Sequence, residues 1–311
     1  MSLIFSSHWI GRFGNRMHQY AYGMTYSRLN NVPYVLPSYW EGTKLFKNPN
    51  LKVLNESIQT ELNGVKDEKC ESELRKNVIR KYYPDVKFIN PTDELENYSV
   101  QEKPSCFDNL CAYHESIFSK MSRKHLLEIF EFSDEVKNTT AYKYWSSKAG
   151  TYNIAHLRRD DIADPEYNKQ NEQGYSVISK KAYINAMSYY GFNPNDFEWT
   201  SDDYLREWHK DRKETIRLGW NYPEGSEYRS DIIFDWLEDF LRIYFAKNIF
   251  RANSSFSWWA SFLSPTATVY SPVLDKQVIY GIESYTEINV PFVKGNHPHW
   301  MYNVKDIIIN D

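Results

Sequence analysis

Thr151-Tyr-Asn-Ile-Ala-His-Leu-Arg-Arg-Asp-Asp161 is the stretch on which the fold turns. Its first seven residues read as a short strand, and the strand runs straight into two arginines and two aspartates. In an open α/β sheet, ligands collect outside the carboxyl ends of the strands. His156, Arg158, Arg159 and Asp161 therefore stand where a ligand would be met. Two adjacent arginines there can neutralise a diphosphate, one of them by bidentate contact. The alternative is a local ion-pair network of Arg158 and Arg159 with Asp160 and Asp161, of the weak surface kind.

Downstream of this stretch the pattern keeps alternating. Residues 179–190 carry Tyr183, Ala186, Met187 and Tyr190 at helical spacing. Phe197–Thr200 reads as a strand, 203–213 as a polar helix and Thr215–Leu218 as another strand. The strongest helix is 230–246, with Ile233, Trp236, Leu237, Phe240, Leu241 and Tyr244 on one face. Asn248–Ala252, 255–263 and Ala267–Tyr270 follow as strand, helix and strand. Strands alternating with helices of this length imply a parallel sheet with right-handed crossovers.

Upstream, a strand at 3–8 leads through a glycine turn into a helix over about 15–29, then a strand at Val32–Leu36. The region 41–115 reads mainly as loops, with a helix near 70–81 and a strand at Val86–Ile89. Residues 115–146 read as helical, and Lys148-Ala-Gly150 as a linker. These readings divide the 311 residues into a domain at 1–148, a second at 149–285, and a tail at 286–311.

Three further motifs carry candidate chemistry. Gly11-Arg-Phe-Gly-Asn15 places Gly11, Arg12 and Gly14 between a strand and a helix, where backbone can approach a ligand; Asn15 would cap the helix or face the ligand. Ser201, Asp202 and Asp203 follow a strand and would meet a nucleobase or ribose, or else cap the next helix. Asn253, Ser254, Ser255, Phe256 and Ser257 open a helix after a strand, offering N–H and hydroxyl groups to an anion, with Trp258 and Trp259 packing the helix or walling a pocket.

Composition narrows the class. Hydrophobic residues make up 41% and charged residues 25%, which excludes a largely disordered chain. Aromatic residues reach 17%, enough to build a large core and to line a cleft. A net charge of −4, with short interrupted basic clusters, argues against nucleic acid as a partner. No apolar run approaches a membrane span and the first residues lack the features of a secretory signal, so a cytoplasmic protein is expected. Cys70, Cys106 and Cys111 are too few for a disulfide scaffold.

Taken in order, the four motifs resemble glycosyltransferase family 11, the α-1,2-fucosyltransferases. Gly11, Gly14, Asn15, Met17, Gln19, Tyr20 and Ala21 match its first motif; His156, Arg158, Arg159 and Asp161 match its second. Ser201, Asp202, Asp203 and Trp208 are similar to a third, and Asn253-Ser-Ser-Phe-Ser-Trp-Trp259 to a fourth. His18 stands where the family usually has Phe, Asp160 where it has Gly, and Ser255 where it has Thr. The glycine start also resembles the protein O-fucosyltransferases.

The resemblance implies a GT-B architecture, two Rossmann-like domains with parallel sheets facing a cleft, the C-terminal one binding GDP-fucose. It implies inverting transfer of L-fucose from GDP-β-L-fucose to a sugar hydroxyl of a glycan, in α-1,2 linkage. The alternatives are another nucleotide sugar or a protein acceptor on the same fold, or a carbohydrate-binding relative without catalysis. Arg158, Asn15 and Asp161 would be catalytic. His156, Arg159, Ser201, Asp202, Asp203 and residues 253–257 would hold the donor. No metal and no cofactor beyond the donor substrate is expected, because the arginines can do the charge work. Asp161, His18 or an acid from 41–115 would accept the proton. Tyr34, Tyr39, Trp40 and Phe46 would stack on the acceptor, and the tail would return to the N-terminal domain.

Overall fold

A computed structural model of the chain describes residues 3–9, 11–37, 40–47, 51–65, 73–89, 104–107, 122–159, 177–201, 234, 236–273, 287–288 and 290–297. The chain divides between Glu135 and Val136 into two compact units.

The first unit runs β1 (Ile4–Ser6), α1 (Phe13–Asn30), β2 (Tyr34–Leu36), α2 (Gly42–Leu45), β3 (Lys52–Val53), α3 (Glu56–Asn63), α4 (Glu73–Tyr82), β4 (Lys87–Ile89), β5 (Ser105–Phe107) and α5 (Arg123–Ile129). A short helix, α6 (Asp134–Asn138), spans the division. The sheet has the order β3-β2-β1-β5-β4 with every pair parallel. Strand β1 is central, with Ile4 opposite both Tyr34 and Ser105. Helix α1 lies close to β2 because Gly23 has no side chain: a Cβ there would overlap the Tyr34 ring. The helix ends at Asn31, whose left-handed backbone (φ 53°) is one that asparagine tolerates.

The aromatics of residues 34–46 pack this unit. Trp40 lies against Tyr20, with ring centres 4.0 Å apart, and against Trp9 and Phe46 at 5.7 and 6.0 Å. Tyr34, Trp40 and Phe46 are all buried, so they form core instead of the expected acceptor platform; Tyr39 lies outside the described residues. Cys106 is a buried free thiol in β5, and Cys70 and Cys111 lie outside the described residues.

The second unit runs α7 (Thr140–Ser147), β6 (Asn153–Leu157), β7 (Val177–Ile178), α8 (Lys180–Tyr189), β8 (Phe197–Ser201), α9 (Leu237–Phe245), β9 (Asn248–Phe250), α10 (Ser255–Leu263), β10 (Thr268–Pro272), β11 (Glu287–Ile288) and β12 (Phe292–Lys294). Its sheet has the order β12-β10-β9-β6-β8, parallel throughout except for β12 on β10; β7 and β11 make a separate parallel pair. One face packs on α8 through Ile178, Tyr183, Met187, Phe197, Phe250 and Phe292.

Several expectations shift. The stretch 115–146 is helical among its described residues, as three short helices, α5, α6 and α7. Helix α7 belongs to the second unit, ahead of the expected linker, because Trp145 packs on Tyr152 at 5.2 Å and donates to Glu238 at 3.1 Å. Residues 290–297 of the expected tail also stay with this unit, through β12 and the buried Phe292. The α9 helix is buried on its polar side as well as its apolar one. Glu238, Asp239 and Arg242 are enclosed there, while Tyr244 and Trp236 are only half-buried. The expected helix at 203–213 and strand at 215–218 lie outside the described residues.

Candidate active site

Parallel pairing in the second unit lines up three motifs. Strand β6 pairs with β8 so that His156 lies opposite Thr200 and Leu157 opposite Ser201. On its other side β6 pairs with β9, Ala155 opposite Phe250. Leu157, Ser201 and Phe250 therefore end three neighbouring strands at the same, carboxyl, edge. This is the edge at which open α/β sheets bind ligands.

Arg158 and Arg159 are not equivalent. Arg158 is half-buried immediately beyond the strand. Arg159 is turned inward, 8% exposed, and donates to the carbonyls of Arg158 at 3.0 Å and Ile178 at 2.9 Å. His156 is buried, its carbonyl accepting from the Tyr183 hydroxyl at 2.9 Å. Burial raises the Tyr183 pKa, so that group remains a neutral donor. The His156 ring lies 6.0 Å from the Phe256 ring, which joins the second motif to the fourth.

The fourth motif is a strand-to-helix turn. Ser254 caps α10, its hydroxyl accepting from the Phe256 amide at 3.3 Å, and Ser257 donates to the Ser254 carbonyl at 3.3 Å. Phe256 also packs edge-on against Phe240 and Trp236 at 5.3 and 5.9 Å. Asn253 is buried and Ser255 half-buried in this turn. Trp258 and Trp259 pack the helix, and Trp258 exchanges hydrogen bonds of 3.2 and 3.0 Å with Asn296. An anion set at this helix start would meet backbone N–H groups and the positive end of the helix dipole.

Ser201 is buried at the end of β8. Beside it, the Thr200 hydroxyl donates to Asp239 at 2.5 Å, and Arg242 binds Glu198 at 2.8 Å. Glu238, next along α9, has its carboxyl pKa pushed up to about 7, mainly by burial. Asp161, Asp202, Asp203 and Trp208 lie outside the described residues.

In the first unit the glycine turn follows β1. Gly11 has a left-handed backbone (φ +67°), and a Cβ there would collide with the Asn15 amide. Gly14 is buried inside α1. Of the two readings of Asn15, cap or ligand-facing residue, the structure removes the cap: the helix starts at Phe13, Arg12 is the exposed capping residue, and the Asn15 backbone N–H is already bonded to the Arg12 carbonyl at 2.9 Å. The Asn15 side chain is half-buried against Gly11. Sequence reading missed Arg16, which donates to the Gly11 carbonyl at 3.0 Å and pairs with Glu41 at 2.6 Å, holding the turn in shape. Its partner is 25 residues away and no spacing rule links them. His18 is fully buried and desolvation drops its pKa to about 3, so it stays neutral inside the core and would be a weak proton acceptor.

Among the described residues no cluster of His, Cys, Asp or Glu could hold a metal ion. Nor is any helix among them long and apolar enough to cross a membrane.

Each unit's parallel-rich sheet and packed helices make this an α/β protein with a fold of the GT-B type. The particular likeness is to the fucosyltransferase NodZ from Bradyrhizobium, with a TM-score of 0.51 over 94% of this chain and 99% of that one, at 11% identity. The chain is also similar to a GDP complex of an Arabidopsis thaliana FUT1 mutant (TM-score 0.47, 11% identity, 94% of this chain and 73% of that one). A third likeness is to POFUT1 in its apo form (TM-score 0.46, 13% identity, 86% and 97%). At these identities the likeness establishes fold, and the NodZ comparison carries it. No family model matches the chain, and no curated protein matches it either.

Proposed function

We propose that the protein is a fucosyltransferase that moves L-fucose from GDP-β-L-fucose to a sugar hydroxyl of a glycan, with inversion and in α-1,2 linkage. The observation that supports this most directly is the gathering of the His156–Arg159, Thr200–Ser201 and Asn253–Ser257 segments at one edge of the second sheet. The NodZ-like fold is consistent with it.

In this reading the bond from the fucose anomeric carbon to the β-phosphate oxygen breaks as the acceptor oxygen bonds to that carbon. The acceptor proton leaves to a base. Negative charge grows on the departing diphosphate, and donors aimed at that charge supply much of the rate. Arg158 is assigned this role, assisted by the N–H groups and hydroxyls at the start of α10. Ser201, with Asp202 and Asp203, would meet the nucleoside. Asn15 and the glycine turn would orient the acceptor hydroxyl, and Asp161 would accept its proton. The donor is a substrate; the arginine-based charge neutralisation calls for no metal and no further cofactor.

A thermal-shift screen of nucleotides and nucleotide sugars tests the donor. A ligand at a hundred times its Kd stabilises the native state by about 2.7 kcal/mol. GDP and GDP-fucose should raise Tm by several degrees, and UDP and CMP compounds should not. A UDP-specific response would move the protein to another donor. No response to any nucleotide would favour a binding protein without catalysis. Incubation with GDP-fucose and an array of glycans, with linkage analysis of the product, tests α-1,2 transfer.

A further inference from the structure

Two buried arginines, neither pointing toward solvent, hold the backbone behind the proposed donor site in the same way. The pairing of β6 with β8 ends at Leu157 and Ser201, so Arg158 is the first residue past the ladder. Its carbonyl is taken by the Arg159 guanidinium at 3.0 Å, and the same guanidinium reaches the Ile178 carbonyl of β7 at 2.9 Å. The pairing of β9 ends at Phe250, opposite Tyr270. Two residues on, the Ala252 carbonyl is taken by the Arg251 guanidinium at 2.8 Å, and the Arg251 Nε donates to the Ser271 hydroxyl of β10 at 3.0 Å. Ser271 in turn donates to the Gly295 carbonyl at 2.6 Å and accepts from the His297 amide at 3.0 Å. Arg251 is 0% exposed.

We propose that Arg159 and Arg251 are positioning residues, each clasping a carbonyl just beyond its strand and so fixing the donor-facing groups that follow. A trans peptide is planar, with its N–H directed opposite its carbonyl. Holding the Ala252 carbonyl inward therefore turns the Asn253 N–H away from the buried guanidinium, at the start of the α10 turn. Holding the Arg158 carbonyl fixes the backbone from which the Arg158 side chain departs. Arginine suits the task because its planar fork reaches two acceptors at once, whereas lysine is a point donor. This places Arg159 behind the site instead of on the donor. The functional part of the inference rests on the fucosyl-transfer reading.

A double-mutant cycle on GDP affinity, with folding followed by circular dichroism, tests it. Arg159→Lys should weaken GDP binding tenfold or more in the native background and less than twofold in an Arg158→Ala background, because it acts through Arg158. Equal losses in both backgrounds would mean that Arg159 touches the donor itself, and no loss in either would mean that the clasp is idle; both overturn the proposal. Arg251→Lys acts through the Asn253 backbone N–H, which no side-chain substitution removes, so it is read alone: it should weaken GDP binding tenfold or more, and unchanged affinity in the folded variant overturns the proposal. If Arg251→Lys does not fold, Ser271→Ala cuts the same anchor, and unchanged GDP affinity in that variant overturns the proposal. Hydrogen exchange without ligand reads the clasps separately from the donor. Peptides covering 153–159 and 248–253 should exchange faster in the variants, and unchanged protection overturns the clasps. Failure of the wild-type protein to bind GDP would instead remove the donor reading, leaving the clasps to be judged on exchange.

Discussion

At the scale of single residues, the adjacent arginines illustrate how far a motif can be read. Sequence alone places both at a strand end, and the structure separates them: Arg158 half-buried, Arg159 occupied with two carbonyls. Arg158→Ala should therefore reduce kcat by at least 10²–10³-fold, the value of about 3–4 kcal/mol for one lost charge-stabilising donor. Its circular dichroism and melting should match wild type; a folded variant with near-normal turnover would reject the assignment. Glu238 supports a pH prediction. Its pKa rises from an ordinary value of 4.5 to about 7, because burial outweighs the Trp145 hydrogen bond and the nearby Arg242, while Asp239 adds to the rise. Below about pH 4.5 the carboxyl is protonated whether the chain is folded or not. Between there and about pH 7 the unfolded chain loses the proton first, so stability falls as pH rises. Glu238→Gln keeps an acceptor for Trp145 and removes that slope. Urea denaturation should find it more stable than wild type at pH 8, by on the order of 3 kcal/mol, and little changed at pH 4.5. A wild-type advantage at pH 8 would contradict the burial argument. Neither Glu238 nor Arg242 was legible as enclosed, because each sits on the polar side of a helix whose apolar face alone gives a signal.

At the scale of elements, what could be read was whatever carried a period. The helix read at 255–263 coincides with α10, and that read at 179–190 contains α8. Strands β6, β8, β9 and β10 appear within a few residues of their expected places. Strands β3, β7 and β11 have two residues each, too few for an alternation to show, and their existence, like that of β5, is decided by partners distant in the chain. The aromatics at 34–46 were expected to stack on the acceptor; in the structure Trp40 instead meets Tyr20 and Trp9, partners distant in the chain that no local pattern announces. Gly23 offers an element-scale test. Gly23→Ala improves helix propensity by about 1 kcal/mol, yet its methyl would press into the Tyr34 ring between α1 and β2. Overpacking of this kind costs about 1–3 kcal/mol, so the variant should melt below wild type. A higher Tm would show that α1 can lift from β2 without loss.

At the scale of the whole molecule, the formal charge of −4 gives no general attraction for a diphosphate. In the proposed reading, the diphosphate is held by local donors, Arg158 and the α10 start, which call for no metal. Turnover should survive excess EDTA within about a factor of two; abolition by EDTA and recovery with Mn²⁺ would reassign the charge work to a metal. The fold class was legible because both halves repeat the strand–helix alternation. The division at Glu135 was not, since α7 joins the second unit through contacts of Trp145 that no linker composition announces.

The order of strands also sets the order of events on the ribosome. In the first unit β1, made first, lies in the middle of the sheet, and one of its neighbours comes from residue 105 onward. In the second unit β6 is made first, and its neighbour β9 begins at residue 248. At about 5–20 residues per second, each first-made strand waits roughly 5–20 seconds with one side bare. A nascent chain paused before Ser105, or between Ser201 and Asn248, thus carries an unpaired inner strand rich in apolar side chains. Those two intervals are where a chaperone would find the growing polypeptide most adhesive, and where synonymous slow codons would do the most harm.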